Sequence, residues 1–266
     1  MKGAEISLGR DFARALDPVL LARDCGIDPD PVQAGLLTTT SRKVLVNCCR
    51  QWGKSTTTGL IALHEALYQA PAMIILVSPS QTQSTELFKK IHGYWERLPG
   101  APEAGQESLT RMELGNGSRI ISLPGSEKTV RGYSGATLIV MDEASRVPDE
   151  LLAAVRPMLA TTNGKFIALS TPAGKRGWFY ESWTNGEGWE RISVKGVDCP
   201  RISAEFLAEE RVAHGPMRFA QEYECEFIDP ETSAFSSDLI AKALTNDFEP
   251  FFAHNRGPDV ATSHAN

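Results

Sequence analysis

The chain has 266 residues, enough for one large domain or for a domain with a small appendage. Its hydrophobic content of 42% supports a substantial core, and no apolar run is long enough to predict a membrane span or a signal peptide. The formal net charge of −6 argues against a domain that coats nucleic acid by bulk electrostatics, but it allows a few local Lys and Arg contacts or a ring of subunits.

The first segment predicts helices ahead of the core. Residues 11–25 have an amphipathic pattern that breaks near Pro18. A further helix is predicted to begin at Pro31, because proline suits the first helical turn. Gln33 then lies just before the first core strand. A side-chain amide donates and accepts at once, so Gln33 is either an adenine contact or a solvated polar residue, and spacing leaves both open.

A strand, a loop and a helix then surround a Gly-Lys-Ser sequence. Residues 44–48 predict a buried strand, and a helical pattern follows the loop. In this context the sequence matches a Walker A motif, in which backbone N–H groups and a helix N-terminus hold a triphosphate. Lys54 would reach the β- and γ-phosphates, and Ser55 would bind Mg²⁺. The predicted ATP-binding residues of this loop are Arg50, Gln51, Trp52, Gly53, Lys54, Ser55 and Thr56.

One residue departs from the motif. Cys48 stands where the consensus has its first glycine, so a chance Gly-Lys-Ser at a strand–helix turn is the alternative. The five cysteines form no CxxC and no metal-ligand spacing, and the histidines form no HExxH, so we expect reduced thiols and no structural zinc. Cys48 and Cys49 are expected to pack as small apolar groups at the strand end.

The next elements continue an alternation of strands and helices. Residues 72–78 predict a second buried strand, and Leu87 to Leu98 repeat at helical spacing. Residues 99–108 are expected to be a loop. Residues 109–123 predict a β-hairpin around Gly-Asn-Gly, and a polar loop follows at residues 124–135. The alternation predicts a parallel α/β sheet with its ligands at the carboxyl ends of the strands.

The third core strand, residues 136–141, delivers Asp142 and Glu143 at its end, as in a Walker B motif. Two carboxylates at a buried strand end are costly without a cation or hydrogen bonds, which indicates Mg²⁺ nearby. Asp142 would hold the metal shell, and Glu143 would polarise the attacking water. The alternative is that both acids favour the N-terminus of the helix that Pro148 opens.

Three further groups have two interpretations each. Ser170 and Thr171 end the fourth strand, residues 165–170, and are either a γ-phosphate sensor that signals to the following segment or a simple strand end. Arg131 is either an arginine finger that reaches a neighbouring subunit's ATP or a solvated loop residue. Arg50 would either contact phosphate or pair with Glu143 and change the orientation of that carboxylate.

The pattern changes near residue 175. An aromatic helix, a short strand and a helix capped by Ser203 and stopped by Gly215-Pro216 follow. We therefore expect an ATPase core with N-terminal helices over residues 1–174, a small helical lid and linker over residues 175–230, and an irregular tail over residues 231–266.

Several of these segments together resemble the ATPase motor domain of the large terminase subunits of tailed bacteriophages. The segments that carry the resemblance are CCRQWGKST, TVRGYSGATLIVMDEAS, LSTPAG, GWFYESW, DCPRIS…FLAEER and FAQEYECEFIDPE. Cys48 in place of the first glycine is typical of that family. The resemblance implies a RecA-like, ASCE-type P-loop NTPase fold.

The resemblance also implies roles for single residues. Gln33 would contact adenine, and Lys54 and Ser55 would bind the nucleotide and Mg²⁺. Glu143 would be the catalytic carboxylate, and the pair Ser170-Thr171 would be the coupling motif. Arg131 matches the region from which a trans-acting arginine is proposed.

For the whole protein, the resemblance implies an ATPase that uses ATP and Mg²⁺ to translocate double-stranded DNA into a capsid. Its partners would be the DNA, the portal protein and the small terminase subunit. It would work as a homo-oligomeric ring, a pentamer, on the procapsid portal in the host bacterial cytoplasm, with no membrane. Such terminases usually carry a second, RNase H-like nuclease domain. The stretch after Pro230 is too short to build one, so no nuclease activity is expected, and the tail resembles the start of that domain.

Two alternatives belong to other functional classes. Another DNA-dependent P-loop ATPase, such as a helicase, would need a second RecA-like domain, for which the chain has no room. A nucleotide-binding packaging scaffold that hydrolyses little is the other alternative. The presence of Lys54, Asp142 and Glu143 argues against it.

Overall fold

The structure is a computed structural model that describes residues 7–124, 130, 132–229 and 242–243. Arg131 and most of the tail after residue 230 lie outside the described residues, so the predictions for them stay predictions. Residues up to Ile228 form one unit, and residues from Asp229 onward form a second unit.

Within the described residues, the first unit contains eight strands and eight α-helices. The strands are β1 (Lys43–Cys48), β2 (Met73–Ser78), β3 (Ala104–Glu107), β4 (Arg111–Leu114), β5 (Arg119–Pro124), β6 (Leu138–Asp142), β7 (Lys165–Ser170) and β8 (Glu190–Val194). The helices are α1 (Leu8–Leu16), α2 (Pro18–Asp24), α3 (Pro31–Thr38), α4 (Lys54–Tyr68), α5 (Gln81–Arg97), α6 (Asp149–Val155), α7 (Gly177–Thr184) and α8 (Ala204–Tyr223).

The strands form one sheet in the order β3-β4-β5-β2-β6-β7-β1-β8. The six strands from β5 to β8 in this order are parallel, and β4 is antiparallel to β5. The predicted α/β sheet and the predicted hairpin are both confirmed. β1, β7 and β6 are neighbouring parallel strands, so their carboxyl ends lie on the same side of the sheet. The predicted Walker A loop and the predicted Walker B acids follow these strand ends.

The core lies on both faces of the sheet, because successive strand residues point to opposite sides. Ile74 and Leu76 of β2 belong to the cluster that includes Leu63 of α4 and Ile91 of α5. Ile75 and Val77 of the same strand belong to a second cluster. That second cluster includes Val155 of α6 and Phe179 of α7. Helices therefore cover both faces of the sheet, which fixes the register of the strand ends.

The N-terminal helices follow the predicted breaks. Asp17 caps α2 by accepting a bond from the backbone N–H of Val19, and Pro18 takes the first helical position. The packing of α1 was not predicted by its pattern. Its apolar side chains Leu8, Phe12 and Leu16 are exposed, whereas its polar side packs inward. Arg14 is buried there and pairs with Asp24 at 2.5 Å.

The structure differs from the sequence predictions in the segment 99–108. Residues Ala104–Glu107 form β3, an antiparallel neighbour of β4, instead of a loop. This strand has no alternating apolar residues to reveal it, because it lies at the sheet edge and its backbone pairs on one side. Its position follows from the hairpin beside it.

The segment after residue 174 contributes to the core sheet. β8 pairs in parallel with β1, from Val44 opposite Glu190 to Cys48 opposite Val194. The expected stop at Gly215-Pro216 is a kink inside α8, where Gly215 has a φ of 71°. The proposed lid segment therefore contributes a strand, β8, to the core sheet. The boundary of the lid near residue 174 remains a prediction. No helix in the described part of the chain is long and apolar enough to cross a membrane.

Candidate functional site

The loop after β1 makes a tight turn before α4. Gln51 has a φ of 62° and Gly53 has a φ of 100°, so the backbone turns through the left-handed region twice. Glycine adopts this conformation without a steric penalty. A Cβ atom at Gly53 would also lie 2.7 Å from Nε2 of Gln33. The glycine of the Gly-Lys-Ser sequence is therefore favoured by its backbone angles, and a larger residue would also displace the Gln33 amide.

Residues late in the chain hold the backbone of this loop. The N–H of Cys49 donates to the carbonyl of Val194 at 2.9 Å, and the N–H of Arg50 donates to the carbonyl of Glu222 at 3.1 Å. Just before the loop, the side-chain amide of Asn47 donates to the carbonyl of Cys225 at 2.8 Å. The loop is thus shaped partly by β8 and by the end of α8.

The side chains of Trp52 and Thr56 complete the loop in different ways. Trp52 is fully buried in the core, and its carbonyl accepts a hydrogen bond from the side-chain amide of Gln33. Thr56 lies in the first turn of α4, where its N–H donates to the carbonyl of Gly53 at 3.0 Å. Cys48 and Cys49 are buried free thiols, as predicted, and burial raises the pKa of Cys49 to about 12.

Residues from three adjacent strands meet at the start of α4. The Nζ of Lys54 donates to Oγ1 of Thr171 at 3.2 Å and lies 3.9 Å from Oε1 of Glu143. The Oγ of Ser55 donates to Oδ2 of Asp142 at 3.4 Å. The structure therefore brings together the groups that the sequence analysis placed at separate strand ends.

The two acids at the end of β6 have different surroundings. Asp142 is 7% exposed, and burial, reinforced by Glu143, raises the pKa of its carboxyl even though Lys54 opposes the shift. The N–H of Glu143 donates to Oδ1 of Asp142 at 3.0 Å. Glu143 itself has a left-handed backbone with a φ of 51°, and its Oε2 lies 4.0 Å from Nη1 of Arg146. A non-glycine residue in this conformation marks local strain, which is common at functional sites.

Ser170 and Thr171 link the end of β7 to both neighbouring loops. The Oγ atoms of Ser170 and Ser145 lie 2.6 Å apart, and Oγ of Ser145 also donates to the carbonyl of Thr171 at 2.8 Å. Thr171 Oγ1 donates to the carbonyl of Cys48 at 3.1 Å. A displacement of Thr171 would therefore change the hydrogen bonds of both the loop after β1 and the turn after Glu143.

Arg50 has a different partner from the one considered in the sequence analysis. Its Nε lies 2.6 Å from Oε2 of Glu222 near the end of α8. The cations beside Glu143 are Lys54 and Arg146 instead. The reason is geometric, because α8 ends against the loop after β1 and brings Glu222 to it.

Gln33 is 4% exposed, which excludes the solvated alternative. Its Nε2 donates to the carbonyl of Trp52 at 3.0 Å, and its Oε1 accepts a bond from the N–H of Asp30 at 3.1 Å. The amide thus lies against the loop, in a position where it also caps α3. The adenine contact remains a prediction.

A cavity of about 270 Å³ opens between these elements. Several of its residues were not predicted. Lys90 comes from α5 and Arg146 from the turn after Glu143, and neither belongs to a motif that marks it. Glu222 and Arg201, which lie behind the loop, belong to segments that carry the family resemblance, but nothing in those segments indicated a contact with the loop. The cavity is lined by Arg50, Gln51, Gly53, Lys54, Ser55, Lys90, Glu143, Arg146 and Thr171.

The donor set of the site suits one kind of metal. No group of three or more His, Cys, Asp or Glu side chains that could hold a metal exists among the described residues. Ser55 Oγ and the buried carboxylate of Asp142 offer two oxygens side by side. Mg²⁺ is held in this way at phosphate sites, where the substrate and water supply its other ligands. The residues present therefore fit a magnesium–nucleotide complex better than a metal held by protein alone.

Comparisons with known proteins identify the family and the fold of the chain. The family model of the terminase large subunit, T4-like type, N-terminal domain, matches residues 46–242. The terminase large subunit of Thermus virus P23-45 is 27% identical over 281 aligned residues, which cover 88% of this chain and 58% of that protein. The chain therefore spans less than two thirds of the length of that relative.

Two solved structures show the same fold. The large terminase ATPase domain of Thermus phage P74-26 is 22% identical, with a TM-score of 0.67 over 78% of this chain and 97% of that one. The large terminase of another thermophilic bacteriophage, solved in complex with ADP, is 8% identical. Its TM-score is 0.61, over 75% of this chain and 54% of that one.

Proposed function

The chain belongs to the terminase large subunit family, and from that premise we propose that it is the ATP-hydrolysing part of a motor that drives double-stranded DNA into a phage capsid. One observation carries the proposal. Lys54, Ser55, Asp142, Glu143 and Thr171 converge at the carboxyl ends of three adjacent parallel strands, beside a loop that leads into a helix. This is the arrangement that P-loop NTPases use for phosphoryl transfer.

The cavity suits the triphosphate of ATP. Its lining is strongly basic, with Arg50, Lys54, Lys90 and Arg146 around a single carboxylate, Glu143. The N-terminus of α4 points into the same space and adds partial positive charge. Lys54 would bind the β- and γ-phosphates, and the buried Gln33 would contact adenine. The ADP complex of the thermophilic phage terminase supports nucleotide binding at this fold.

Ser55 and Asp142 would hold Mg²⁺. Burial raises the pKa of Asp142, so the ionised carboxylate gains most when a cation lies beside it. Bound there, the metal would neutralise charge on the phosphates during transfer. Because the two oxygens belong to α4 and β6, they also fix the distance between the Walker A helix and the Walker B strand.

Glu143 would act on the attacking water. Its side chain lies between Lys54 and Arg146 and lines the cavity, whereas Asp142 is buried behind it. Glu143 would orient the water and accept its proton. Ser170 and Thr171 would report loss of the γ-phosphate, because Thr171 accepts a bond from Lys54 and donates one to Cys48.

The partners of the motor are part of the proposal. Double-stranded DNA is the substrate, and the portal protein and the small terminase subunit are the packaging partners. The active form is a ring of identical chains, a pentamer by family resemblance, on the procapsid portal in the host cytoplasm. Arg131, outside the described residues, would complete a neighbouring subunit's site.

A substitution of Glu143 tests the proposed chemistry. Glu143→Gln keeps the size of the side chain but removes its basicity, so we expect ATP turnover to fall about 10²- to 10⁴-fold. Binding of a fluorescent ATP analogue should stay close to the native value. Turnover of the native chain and the variant is measured with and without double-stranded DNA, and the native rate should rise with DNA.

The matched control is Glu209→Gln, an exposed acid on α8, which should turn over ATP like the native chain. Equal turnover in the native chain and Glu143→Gln would disprove the assignment of Glu143. Strand separation of duplex DNA by the native chain would favour the helicase alternative over a packaging motor.

A further inference from the structure

The loop between β1 and α4 is called the phosphate loop. Two side chains from distant parts of the sequence donate hydrogen bonds to one of its carbonyl groups. The carbonyl of Trp52 accepts a bond from Nε2 of Gln33 at 3.0 Å. It accepts a second bond from Nη2 of Arg201, in the segment between β8 and α8. Trp52 directly precedes Gly53, the residue at which the loop turns into α4. The orientation of this carbonyl therefore affects how the loop presents its N–H groups to phosphate.

Arg201 also neutralises a buried acid. The same Nη2 atom lies 2.8 Å from Oδ2 of Asp30, whose side chain is 5% exposed. A carboxylate at this depth is costly unless a cation and hydrogen bonds compensate it. The other oxygen of Asp30 accepts a bond from the N–H of Gln33 at 2.8 Å. Arg201 therefore stabilises the cap of α3 that sets the position of Gln33.

The side chains of Gln33 and Arg201 leave little space for a side chain at Gly53. A Cβ atom there would lie 2.7 Å from Nε2 of Gln33 and 3.9 Å from Nη2 of Arg201. Both side chains thus cover Gly53 closely. The Arg201 side chain is 42% exposed, so it sits at the edge of the cluster and not inside the core.

We propose that Arg201 is a positioning residue for nucleotide binding, because it fixes the Trp52 carbonyl directly and the Gln33 amide through Asp30. The inference rests on the proposed function, since it concerns how the same site binds ATP. The bonds of Arg201 go to Asp30 and Trp52, and not to the groups assigned to hydrolysis, Lys54 and Glu143. Its loss should therefore weaken nucleotide binding and leave the chemical step nearly intact.

The expected effect follows from the bonds lost. Removal of the guanidinium takes a charge-assisted hydrogen bond from Trp52 and leaves Asp30 buried without its cation. We expect the KM for ATP and the Kd of a fluorescent ATP analogue to rise about 10- to 100-fold in Arg201→Ala. The kcat should stay within about threefold of the native value. Arg201→Lys should recover part of the affinity, because an ammonium can reach one acceptor but lacks the planar fork.

The control variant is Arg211→Ala. Arg211 lies on α8 in the same part of the chain, is similarly exposed, pairs with Glu224 and stacks on Phe219, and not with Trp52, Asp30 or Gln33. It should bind and hydrolyse ATP like the native chain. All variants are studied in the full chain, and thermal melting checks that each one is folded. If Arg201→Ala does not fold, Arg201→Lys and Asp30→Asn supply the test, since asparagine keeps the helix cap but removes the charge.

A double-mutant cycle tests the path through Asp30. If Arg201 acts on Gln33 through the Asp30 carboxylate, the loss of affinity on Arg201→Ala should be smaller in the Asp30→Asn background than in the native one. Unchanged KM and Kd in Arg201→Ala would overturn this inference alone, and so would a fall in kcat at constant KM. A native chain that binds no ATP analogue would overturn the proposed function and this inference with it.

Discussion

At the scale of single residues, Asp142 and Glu143 show how adjacent acids acquire different properties. Asp142 is the last residue of β6 and is buried against Ser55. Glu143 follows in a left-handed conformation that turns its side chain toward the cavity. One acid is thus buried beside a hydroxyl group, and the other lines the cavity, which suits the roles we propose for them, Mg²⁺ binding for Asp142 and activation of water for Glu143.

The raised pKa of Asp142 predicts a gain of stability when its charge is removed. Because burial raises the folded-state pKa above the unfolded value, the folded chain binds the proton more tightly. The free energy of unfolding therefore falls as pH rises from the unfolded-state pKa to the folded-state pKa, and the full cost of the buried charge is present above both values. Asp142→Asn should raise the stability of the nucleotide-free chain at pH 7 by about 1 kcal/mol, or roughly 2–4 °C in Tm.

Thermal melting at neutral and at acidic pH checks this prediction. The difference in Tm between the two chains should shrink as pH falls and the native carboxyl becomes protonated. Asp28→Asn, at an exposed acid, should leave Tm unchanged. The same Asp142→Asn chain should lose Mg²⁺-dependent ATP turnover. A lower Tm for Asp142→Asn at pH 7 would show that the bonds of the carboxylate outweigh its burial.

Some site residues were predictable from sequence and others were not. Lys54, Asp142 and Glu143 stand in local motifs whose spacing reflects strand–loop–helix geometry. Arg201 and Glu222 contact the same loop, but long stretches of chain separate them from it. They lie in segments that carry the family resemblance, yet no residue pattern there indicates a contact with the loop. Their positions depend on how β8 and α8 pack, which a single sequence does not encode in any short segment.

At the scale of elements, close packing between backbone segments restricts the residue type at positions that belong to no motif. Gly164 lies just before β7. A Cβ atom there would lie 2.6 Å from the carbonyl oxygen of Thr137 and 2.7 Å from that of Ala136. These are backbone atoms of the segment that enters β6, so they cannot move aside without disturbing the pairing of β6 with β7.

Gly164→Ala should therefore destabilise the chain by about 1–3 kcal/mol through overpacking. Gly35→Ala is the matched control. Gly35 lies inside α3, and a Cβ atom there would have no neighbour within 4 Å, so alanine should raise stability by up to about 1 kcal/mol. Urea unfolding of both variants measures the difference. Equal stabilities would show that the sheet accommodates the extra methyl group.

Strands were predicted correctly where apolar patterns were strong, and one strand, β3 at an edge of the sheet, was missed. The buried strands β1, β2, β6 and β7 have continuous apolar runs, and all four were found from sequence. β3 was missed because an edge strand needs no apolar alternation. β8 was found as a strand, but its own residues do not indicate that it pairs with β1, which is distant in the sequence.

At the scale of the whole molecule, the segment after residue 174 completes the core. β8 covers the edge of β1, and the end of α8 bonds to the loop that follows β1. A chain that ends at residue 174 would expose the backbone of β1 and lose both supports of the loop. We expect such a chain to show no cooperative thermal transition and to aggregate, whereas the full chain melts cooperatively.

Circular dichroism melting and size-exclusion chromatography of the two chains test this expectation. A cooperative transition of the shorter chain at the Tm of the full chain would support a self-contained core over residues 1–174. Loss of the transition would show instead that the proposed lid shares its folding with the core.

The bonds from the loop after β1 to Val194, Glu222 and Cys225 also set an order of events on the ribosome. Lys54 is synthesised long before these three residues, so the loop has no support while the chain is still short. Even after Asp142 and Glu143 have been added, the phosphate loop lacks the carbonyls that hold Asn47, Cys49 and Arg50. We therefore expect the nascent chain to complete its proposed nucleotide site only when residue 225 has left the exit tunnel, so an interrupted chain should not hydrolyse ATP.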